Sequence, residues 1–173
     1  MKKENIWTIK IIIMAFIISF IFSLSSEIIM PKVNILASII ILIIFILIGI
    51  IFDMIGVAIT TCDIKPFHSM NSKKITYTKT GIKLLQNSAQ VSSFCNDVIG
   101  DICGIISGSA GVIISTTLSA KLNANILITS LVITSLIAAL TIGGKSFGKT
   151  TALKNNVTIV KIFSRIIDIF HIK

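Results

Sequence analysis

One uninterrupted apolar stretch decides the fold: residues 33–52, which read VNILASIIILIIFILIGIIF. These 20 residues contain no charged side chain. A helix needs about 20 apolar residues to cross the hydrocarbon core of a bilayer. The stretch is therefore predicted to be a transmembrane helix.

Three further stretches are long and apolar enough for the same role, namely residues 7–30, 98–118 and 126–142. Asp101 is the only charge inside the second of them. The first is weaker, because its charge-free part lies between Lys10 and Glu27. The sequence thus predicts an all-α integral membrane protein with four transmembrane helices.

The N-terminal stretch also fits a cleaved signal peptide. Three lysines precede a short apolar region, residues 11–22, and the small-x-small sequence Ser23-Leu24-Ser25 follows it. The apolar pattern continues past the serines through residues 28–30, which favours a retained helix. Residues 1–31 are therefore interpreted as an additional membrane helix or a signal-like anchor.

Composition and charge agree with a membrane protein. Hydrophobic residues make up 54% of the 173 residues and charged residues 13%, about half the usual charged share of a soluble domain. With four helices, alternate sides of the membrane carry 14 and 2 Lys or Arg. This asymmetry predicts a cytoplasmic-membrane protein with both termini and the middle loop in the cytoplasm. It also explains the net charge of +9 without a nucleic-acid partner.

Two cytoplasmic segments are amphipathic. In the middle loop, residues 53–90, apolar side chains alternate with lysines, which predicts one or two short helices on the inner membrane surface. In residues 158–173, isoleucines and phenylalanines recur at helical spacing, which predicts an interfacial helix. A membrane core, residues 32–157, lies before that helix. A coiled-coil contact is the weaker alternative for the C-terminal segment.

Ionisable residues lie where the predicted helices meet the inner leaflet. The second helix ends at Asp53. The third is preceded by Asn96 and Asp97 and contains Asp101 one turn further in. The fourth is followed by Lys145. Carboxylate and amide oxygens suit a hard divalent cation such as Mg²⁺. A salt bridge is the alternative, since Lys145 would neutralise one aspartate. The sequence leaves both interpretations open.

Glycines recur every fourth residue in the third helix, at Gly100, Gly104 and Gly108. Such spacing lets another helix approach closely. It fits packing within the chain, a dimer interface, or backbone carbonyls that face a cavity.

No enzyme is predicted. Residues 143–150, GGKSFGKT, satisfy the phosphate-binding pattern G-x-x-x-x-G-K-[ST], but this pattern belongs after a buried strand of an α/β domain. Here it follows a membrane helix, so no nucleotide is expected. The three cysteines have no metal-site or disulfide spacing, and neither histidine has a catalytic partner.

Residues 41–156 nevertheless resemble the transmembrane domain of the cyclin M (CNNM) and CorB/CorC magnesium transporters. FDMIGVAI at 52–59 lies where that family has Phe-Ser-x-Ser-Glu-x-Ala-Leu, and CNDVI at 95–99 lies where it has Gly-Asn-x-Leu-Val. GKSFGKTTA at 144–152 lies where it has Gly-Glu-x-x-Pro-Lys-Thr-x-Ala, the most specific of the three similarities.

The resemblance implies a dimer of three-helix membrane domains with juxtamembrane helices and a cation pocket open to the cytoplasm. Transferred to this sequence, the pocket involves Asp53, Asn96 and Lys145. The chain also departs from the family. Lys145 and Gly56 replace acids, the helix at residues 7–30 is additional, and the nucleotide-sensing regulatory domains are missing from the sequence.

The sequence therefore predicts a divalent-cation (Mg²⁺ or Co²⁺) transporter-like membrane protein. Its candidate ligands are Asp53, Asn96, Asp97 and Asp101, and Lys145 tunes the site. The alternative is a non-transporting scaffold or partner subunit in which Lys145 neutralises the aspartates. The expected partners are the lipid bilayer, a second copy of the chain and an unidentified membrane protein.

Overall fold

The structure, a computed structural model, describes the backbone of residues 3–171 and the side chains of residue 9 and residues 11–169. Every regular element in this part of the chain is helical. The helices are α1 (Lys3–Ile29), α2 (Ile35–Thr61), α3 (Lys65–Ser72), α4 (Thr78–Gln86), α5 (Ser88–Ser93), α6 (Gly100–Leu122) and α7 (Ile126–His171). A 3₁₀ turn, Met30–Lys32, follows α1, and a π-helical turn, Phe94–Ile99, joins α5 to α6. The outermost residues of the first and last predicted segments, 1–2 and 172–173, lie outside the described chain.

Four helical segments are long and apolar enough to cross a membrane, as the sequence predicts. They are Ile11–Lys32, Ile35–Thr61, Ser88–Leu122 and Ile126–Ile169. The prediction of an all-α chain with four candidate transmembrane helices is confirmed to that extent.

The helices run past the ends of the apolar stretches. The 27 residues of α2 span about 40 Å, whereas the hydrocarbon core is about 30 Å thick. Asp53, predicted to end this helix, therefore lies inside it, two turns before Thr61. Lys145 likewise lies inside α7. The length of an apolar stretch reflects the thickness of the hydrocarbon core, whereas the hydrogen bonds of a helix can continue into the polar residues that follow the stretch.

Asparagines mark several helix ends. The Asn34 side-chain oxygen accepts a hydrogen bond from the Ala37 N–H at 2.9 Å, and Asn125 accepts one from the Leu127 N–H at 2.9 Å. Both are N-cap contacts, which satisfy amides that lack an intrahelical partner. Asn123 ends α6 with a left-handed backbone, φ 48°. Asparagine is among the residues that adopt this conformation most readily.

The chain divides into two compact units. The first contains residues 1–49 and 98–144, and the second contains residues 50–97 and 145–173. The boundaries lie within three residues of the ends of the predicted apolar stretches. The second unit contains 11 of the 16 Lys and Arg, five in residues 65–83 and six in residues 145–173.

In the first unit, α1 packs along α6. Gly111 of α6 lies against Ile137 of α7, where an added Cβ would come within 2.6 Å of Ile137 Cδ1. Most large apolar side chains of α1 and of the N-terminal half of α7 are exposed, such as Phe16 and Leu131. A bilayer would cover such a surface, since apolar patches of this extent are rare on soluble monomers.

The second unit has a core of its own. Its buried residues come from five helical segments of the unit, and they are Ile55, Ala58, Ile59, Phe67, Leu85, Cys95, Ala152 and Val160. The short helices predicted in the middle loop are present as α3 and α4. Their apolar face is covered by protein, because Phe67 and Leu85 pack into this core.

The C-terminal part of α7 packs on α4. Thr80 donates a hydrogen bond to Asp168 at 2.9 Å, and the Arg165 guanidinium lies 5.0 Å from the Tyr77 ring centre, a cation–π contact. An added Cβ at Gly81 would approach Ser164 Oγ to 2.9 Å, so glycine permits this close contact.

The amphipathic C-terminal segment begins after a break in α7 at Asn155, φ −122° and ψ 26°. Next to the break, the Asn156 amide donates to the Thr61 carbonyl at 2.9 Å. Beyond it, Ile162, Ile166 and Ile169 form an exposed apolar row at helical spacing. The helix predicted there exists, and its contact with the membrane stays a prediction.

Cys62 offers a pH-dependent test of the second unit. Burial raises the pKa of its thiol, the Asp63 carboxylate raises it further, and the Lys161 ammonium lowers it. Since only the thiolate reacts with iodoacetamide, we expect Cys62 to react more slowly at pH 8 than cysteine in a peptide, and faster as the pH rises. Asp63→Asn should speed the reaction and Lys161→Gln should slow it, measured by mass spectrometry of the Cys62 peptide. Identical rates in both variants would contradict this packing.

Candidate functional site

Three segments come together in the second unit, the same three that carry the family resemblance. Ala58, Cys95 and Ala152, one from each segment, are buried in the same core. Gly148 of α7 lies against α2, because an added Cβ would be 3.3 Å from Ile50 Cγ2 and 3.8 Å from Met54 Cβ. The polar side chains of these segments therefore project from helices that contact one another.

Gly56 provides the space for Asn96. A Cβ at position 56 would overlap the Asn96 amide, reaching 2.8 Å from its Cγ and 3.0 Å from its Nδ2. Asn96 belongs to the π-helical turn, and its amide nitrogen donates to Ser92 Oγ at 3.3 Å. Its Oδ1 is buried and has no hydrogen-bond partner.

Asp53 lies on the same side of α2 as Gly56, three residues and about one turn away. Asp53 is only 5% exposed, and its Oδ2 is buried without a hydrogen bond. The ammonium of Lys149 in α7 lies 3.9 Å from Oδ2, at the far limit of an ion pair. The Lys149 side chain is 53% exposed, so solvent competes for this charge.

Two buried oxygens on adjoining helices thus lack hydrogen bonds. Each such oxygen costs free energy unless it finds a partner, so most buried polar groups in proteins are paired. A carboxylate and an amide oxygen are the donor types that a hard cation accepts. π-Helical turns disrupt the regular backbone ladder and are frequent at functional sites. Asp53 and Asn96 are therefore the strongest candidate ligands among the residues that the structure describes.

The other predicted ligands are placed differently. Asp97 is exposed on the π-helical turn, and Asp101 is exposed on α6 in the first unit. Among the described residues, no group of three or more His, Cys, Asp or Glu lies close enough to hold a metal ion. A cation at Asp53 and Asn96 would keep water in its coordination shell, as Mg²⁺ usually does.

Lys149, not Lys145, is the residue that pairs with Asp53. Lys145 is half-buried and lies one helical turn earlier in α7. The sequence drew attention to Lys149 through the phosphate-binding pattern and through the family resemblance at residues 144–152, and neither pointed to Asp53 as its partner. Its spacing of four residues from Lys145 places both lysines on one face of a helix, but spacing cannot specify which turn of α7 is level with Asp53.

Two of the three predicted packing glycines have open space beside them in the part of the chain that the structure describes. Gly104 and Gly108 are exposed, and nothing lies within 4 Å of a Cβ added at either position. Gly100 is buried. A close helix contact of α6 is made about one turn later, at Gly111.

The residues that match the phosphate-binding pattern do not form a loop. Residues 143–150 are helical throughout and form part of α7. Backbone amides inside a helix are already hydrogen-bonded, so they cannot surround a phosphate as a phosphate-binding loop does. Within this segment, Gly148 serves helix packing and Lys149 pairs with Asp53.

Comparisons of the chain with models of known protein families, with curated proteins and with solved structures found no match.

Proposed function

We propose that this protein is a multi-pass protein of the cytoplasmic membrane that binds and transports a divalent cation, with Mg²⁺ as the first candidate. Asp53 and Asn96 are the primary ligands in this proposal. The observation that carries it is a pair of buried oxygens on adjoining helices, Asp53 Oδ2 and Asn96 Oδ1. Neither oxygen has a hydrogen-bond partner. The sequence resemblance to the CNNM and CorB/CorC membrane domains supports the same assignment.

Lys149 is a displaceable counter-charge in this mechanism. Its ammonium lies 3.9 Å from Asp53 Oδ2 and its long side chain is half exposed, so it can leave at small cost when a cation arrives. The cation then replaces the lysine as the partner of the carboxylate.

The positive-inside asymmetry orients the protein. It supports a cytoplasmic position for both termini and for α3–α5, and the second unit carries most of the basic residues. The cation then passes between the site at Asp53 and the cytoplasm. A second copy of the chain packs on the open face of α6 at Gly104 and Gly108 in this proposal.

Magnesium flux into proteoliposomes tests transport. We expect wild-type protein to admit Mg²⁺ faster than protein-free vesicles, reported by a trapped Mg²⁺-sensitive dye. Asp53→Asn removes the only charged ligand at the buried site. Mutating even a residue that only hydrogen-bonds to a metal ligand typically lowers metal affinity about 10–100-fold. The variant should therefore lower the flux at least about tenfold.

Asp63→Asn is the matched control. Asp63 is exposed, and its Oδ1 accepts only the Lys65 N–H at 3.0 Å in a local turn. This variant should transport like the wild type. Equal flux for wild type and Asp53→Asn would refute the assignment of Asp53.

A scaffold or partner subunit is the second candidate function, and the Lys149–Asp53 ion pair favours it. In that case the lysine permanently occupies the position of the cation, and the pair only stabilises the second unit. Wild-type vesicles would then show no more flux than protein-free vesicles.

A further inference from the structure

The C-terminal segment of α7, residues 156–171, has apolar side chains on two opposite faces. On one face, Val160 and Ser164 are fully buried, Val160 in the core of the second unit and Ser164 beside α4. On the other face, about half a helical turn away, Ile162, Ile166 and Ile169 are 46–65% exposed. A surface helix normally carries polar side chains on the face that does not pack on the protein. This isoleucine row therefore indicates a second apolar contact of the segment.

The short helices of the same unit do not share this feature. The large apolar side chains that are exposed in the described part of the second unit all lie on α2 or α7, and they are Ile51, Phe147, Leu153, Ile162, Ile166 and Ile169. On α4, the helix that contacts the C-terminal segment, the exposed side chains are instead Lys79, Lys83 and Gln86. The isoleucine row is thus a local feature of the segment and not a general property of the surface of the unit.

Positive charge borders the isoleucine row. Arg165 is exposed, and its guanidinium is held 5.0 Å from the Tyr77 ring centre by a cation–π contact. Lys161 precedes it by four residues, so both basic side chains lie on one side of the segment. The only acidic residue of the segment, Asp168, accepts a hydrogen bond from Thr80. The second unit as a whole has 11 Lys and Arg against four Asp, so a surface that it attracts is negatively charged.

The surface of an anionic bilayer fits an apolar row with a basic border. At such a surface, apolar side chains of a helix enter the boundary of the acyl chains and basic side chains reach the phosphate groups. A segment that lies along a bilayer must turn away from the direction of the preceding span, and α7 has its break at Asn155, directly before the segment.

We propose that the C-terminal segment docks on anionic phospholipids of the cytoplasmic leaflet, with the isoleucine row at the acyl-chain boundary and Arg165 and Lys161 at the phosphate groups. This docking rests on the membrane location in the proposed function, and it does not depend on cation binding. Loss of Mg²⁺ flux would therefore leave it intact.

Quenching of a single tryptophan by brominated lipid measures this contact in the full-length chain. Trp7 is the only tryptophan, so Trp7→Phe gives a background without this fluorophore. In that background, Ile166→Trp places a reporter in the row, and Gln86→Trp places one at the exposed end of α4 as the matched control. The protein is reconstituted without divalent cations in phosphatidylcholine nanodiscs with increasing fractions of phosphatidylglycerol. Every nanodisc contains the same fraction of phosphatidylcholine brominated near the headgroup end of its acyl chains.

We expect quenching at position 166 to rise with the phosphatidylglycerol fraction and to exceed quenching at position 86 several-fold. Ile162→Trp, a second reporter in the row, should give the same result, so the test does not rest on one substitution. Quenching in the row that is no stronger than at position 86, or that is independent of phosphatidylglycerol, would overturn the proposal. A protein that covers the row would shield both reporters from bromine and from aqueous acrylamide, which would also overturn it.

Charge variants isolate the role of the basic border. Arg165→Gln, added to the Ile166→Trp reporter, should lower the ratio of docked to undocked segment about fivefold at the phosphatidylglycerol fraction that gives half-maximal quenching, the effect of one basic residue near an anionic surface. Arg165→Lys keeps the charge and should restore the docking. Lys121→Gln removes an equal charge from the exposed end of α6 in the first unit and should change nothing. Equal effects of Arg165→Gln and Lys121→Gln would exclude Arg165 as a headgroup contact.

Discussion

Phe67→Ala is expected to lower the free energy of unfolding by about 3–5 kcal/mol, the usual cost of removing a fully buried phenylalanine. Phe67 is 0% exposed in the core of the second unit. Two of its ring carbons would lie 2.6–2.7 Å from a Cβ at Gly81, so the ring is held tightly against α4. The cavity left by alanine cannot close without moving that helix.

Phe147→Ala is the matched control for this substitution. Phe147 is 77% exposed on α7, so the same atoms are removed without opening a cavity. Denaturant titration in detergent micelles, followed by circular dichroism, should show a large shift for Phe67→Ala and a small one for Phe147→Ala. Equal shifts would mean that α3 does not pack into the core of the second unit.

Gly56→Ala is expected to destabilise the protein by about 1–3 kcal/mol, the range for overpacking a well-packed site. The added methyl group would overlap the Asn96 amide, so the amide must leave its position beside α2. We expect Mg²⁺ binding to weaken in the same variant, because Asn96 Oδ1 leaves its position beside α2. The same titration, together with Mg²⁺ calorimetry, measures both effects.

Gly143→Ala provides the opposite expectation. Nothing lies within 4 Å of a Cβ added at Gly143, and the residue is inside α7. Alanine should stabilise this helix by about 0.5–1 kcal/mol and leave Mg²⁺ binding unchanged. If Gly56→Ala behaved like Gly143→Ala, Asn96 would not occupy the space beside Gly56.

The elements of the fold could be predicted well from the sequence, and their ends less well. The uncharged run at residues 33–52 requires a helix, because no other arrangement except a closed barrel satisfies backbone hydrogen bonds in hydrocarbon. The position of Thr61 as the end of α2 could not be predicted, since the residues after Asp53 continue the helix outside the apolar stretch.

The candidate site was predicted in part. Asp53 and Asn96 stand out in a sequence because polar groups near apolar stretches are few. The position of Asn96 beside α2 depends on Gly56, and the absence of a side chain gives no signal of what fills its space. Whether Lys149 or Lys145 pairs with Asp53 depends on how α7 is placed along α2. The contact of Gly148 with α2 sets that placement, and it is visible only in the structure.

The central claim is that Asp53 and Asn96 bind a divalent cation in place of Lys149. Isothermal titration of detergent-purified protein with Mg²⁺ tests it most directly, with wild type, Asp53→Asn and Lys149→Gln measured side by side. We expect saturable binding to wild type, none to Asp53→Asn, and binding to Lys149→Gln that is tighter, because the competing ammonium is gone. Binding to Asp53→Asn equal to that of wild type, or no binding to either wild type or Lys149→Gln, would contradict the claim.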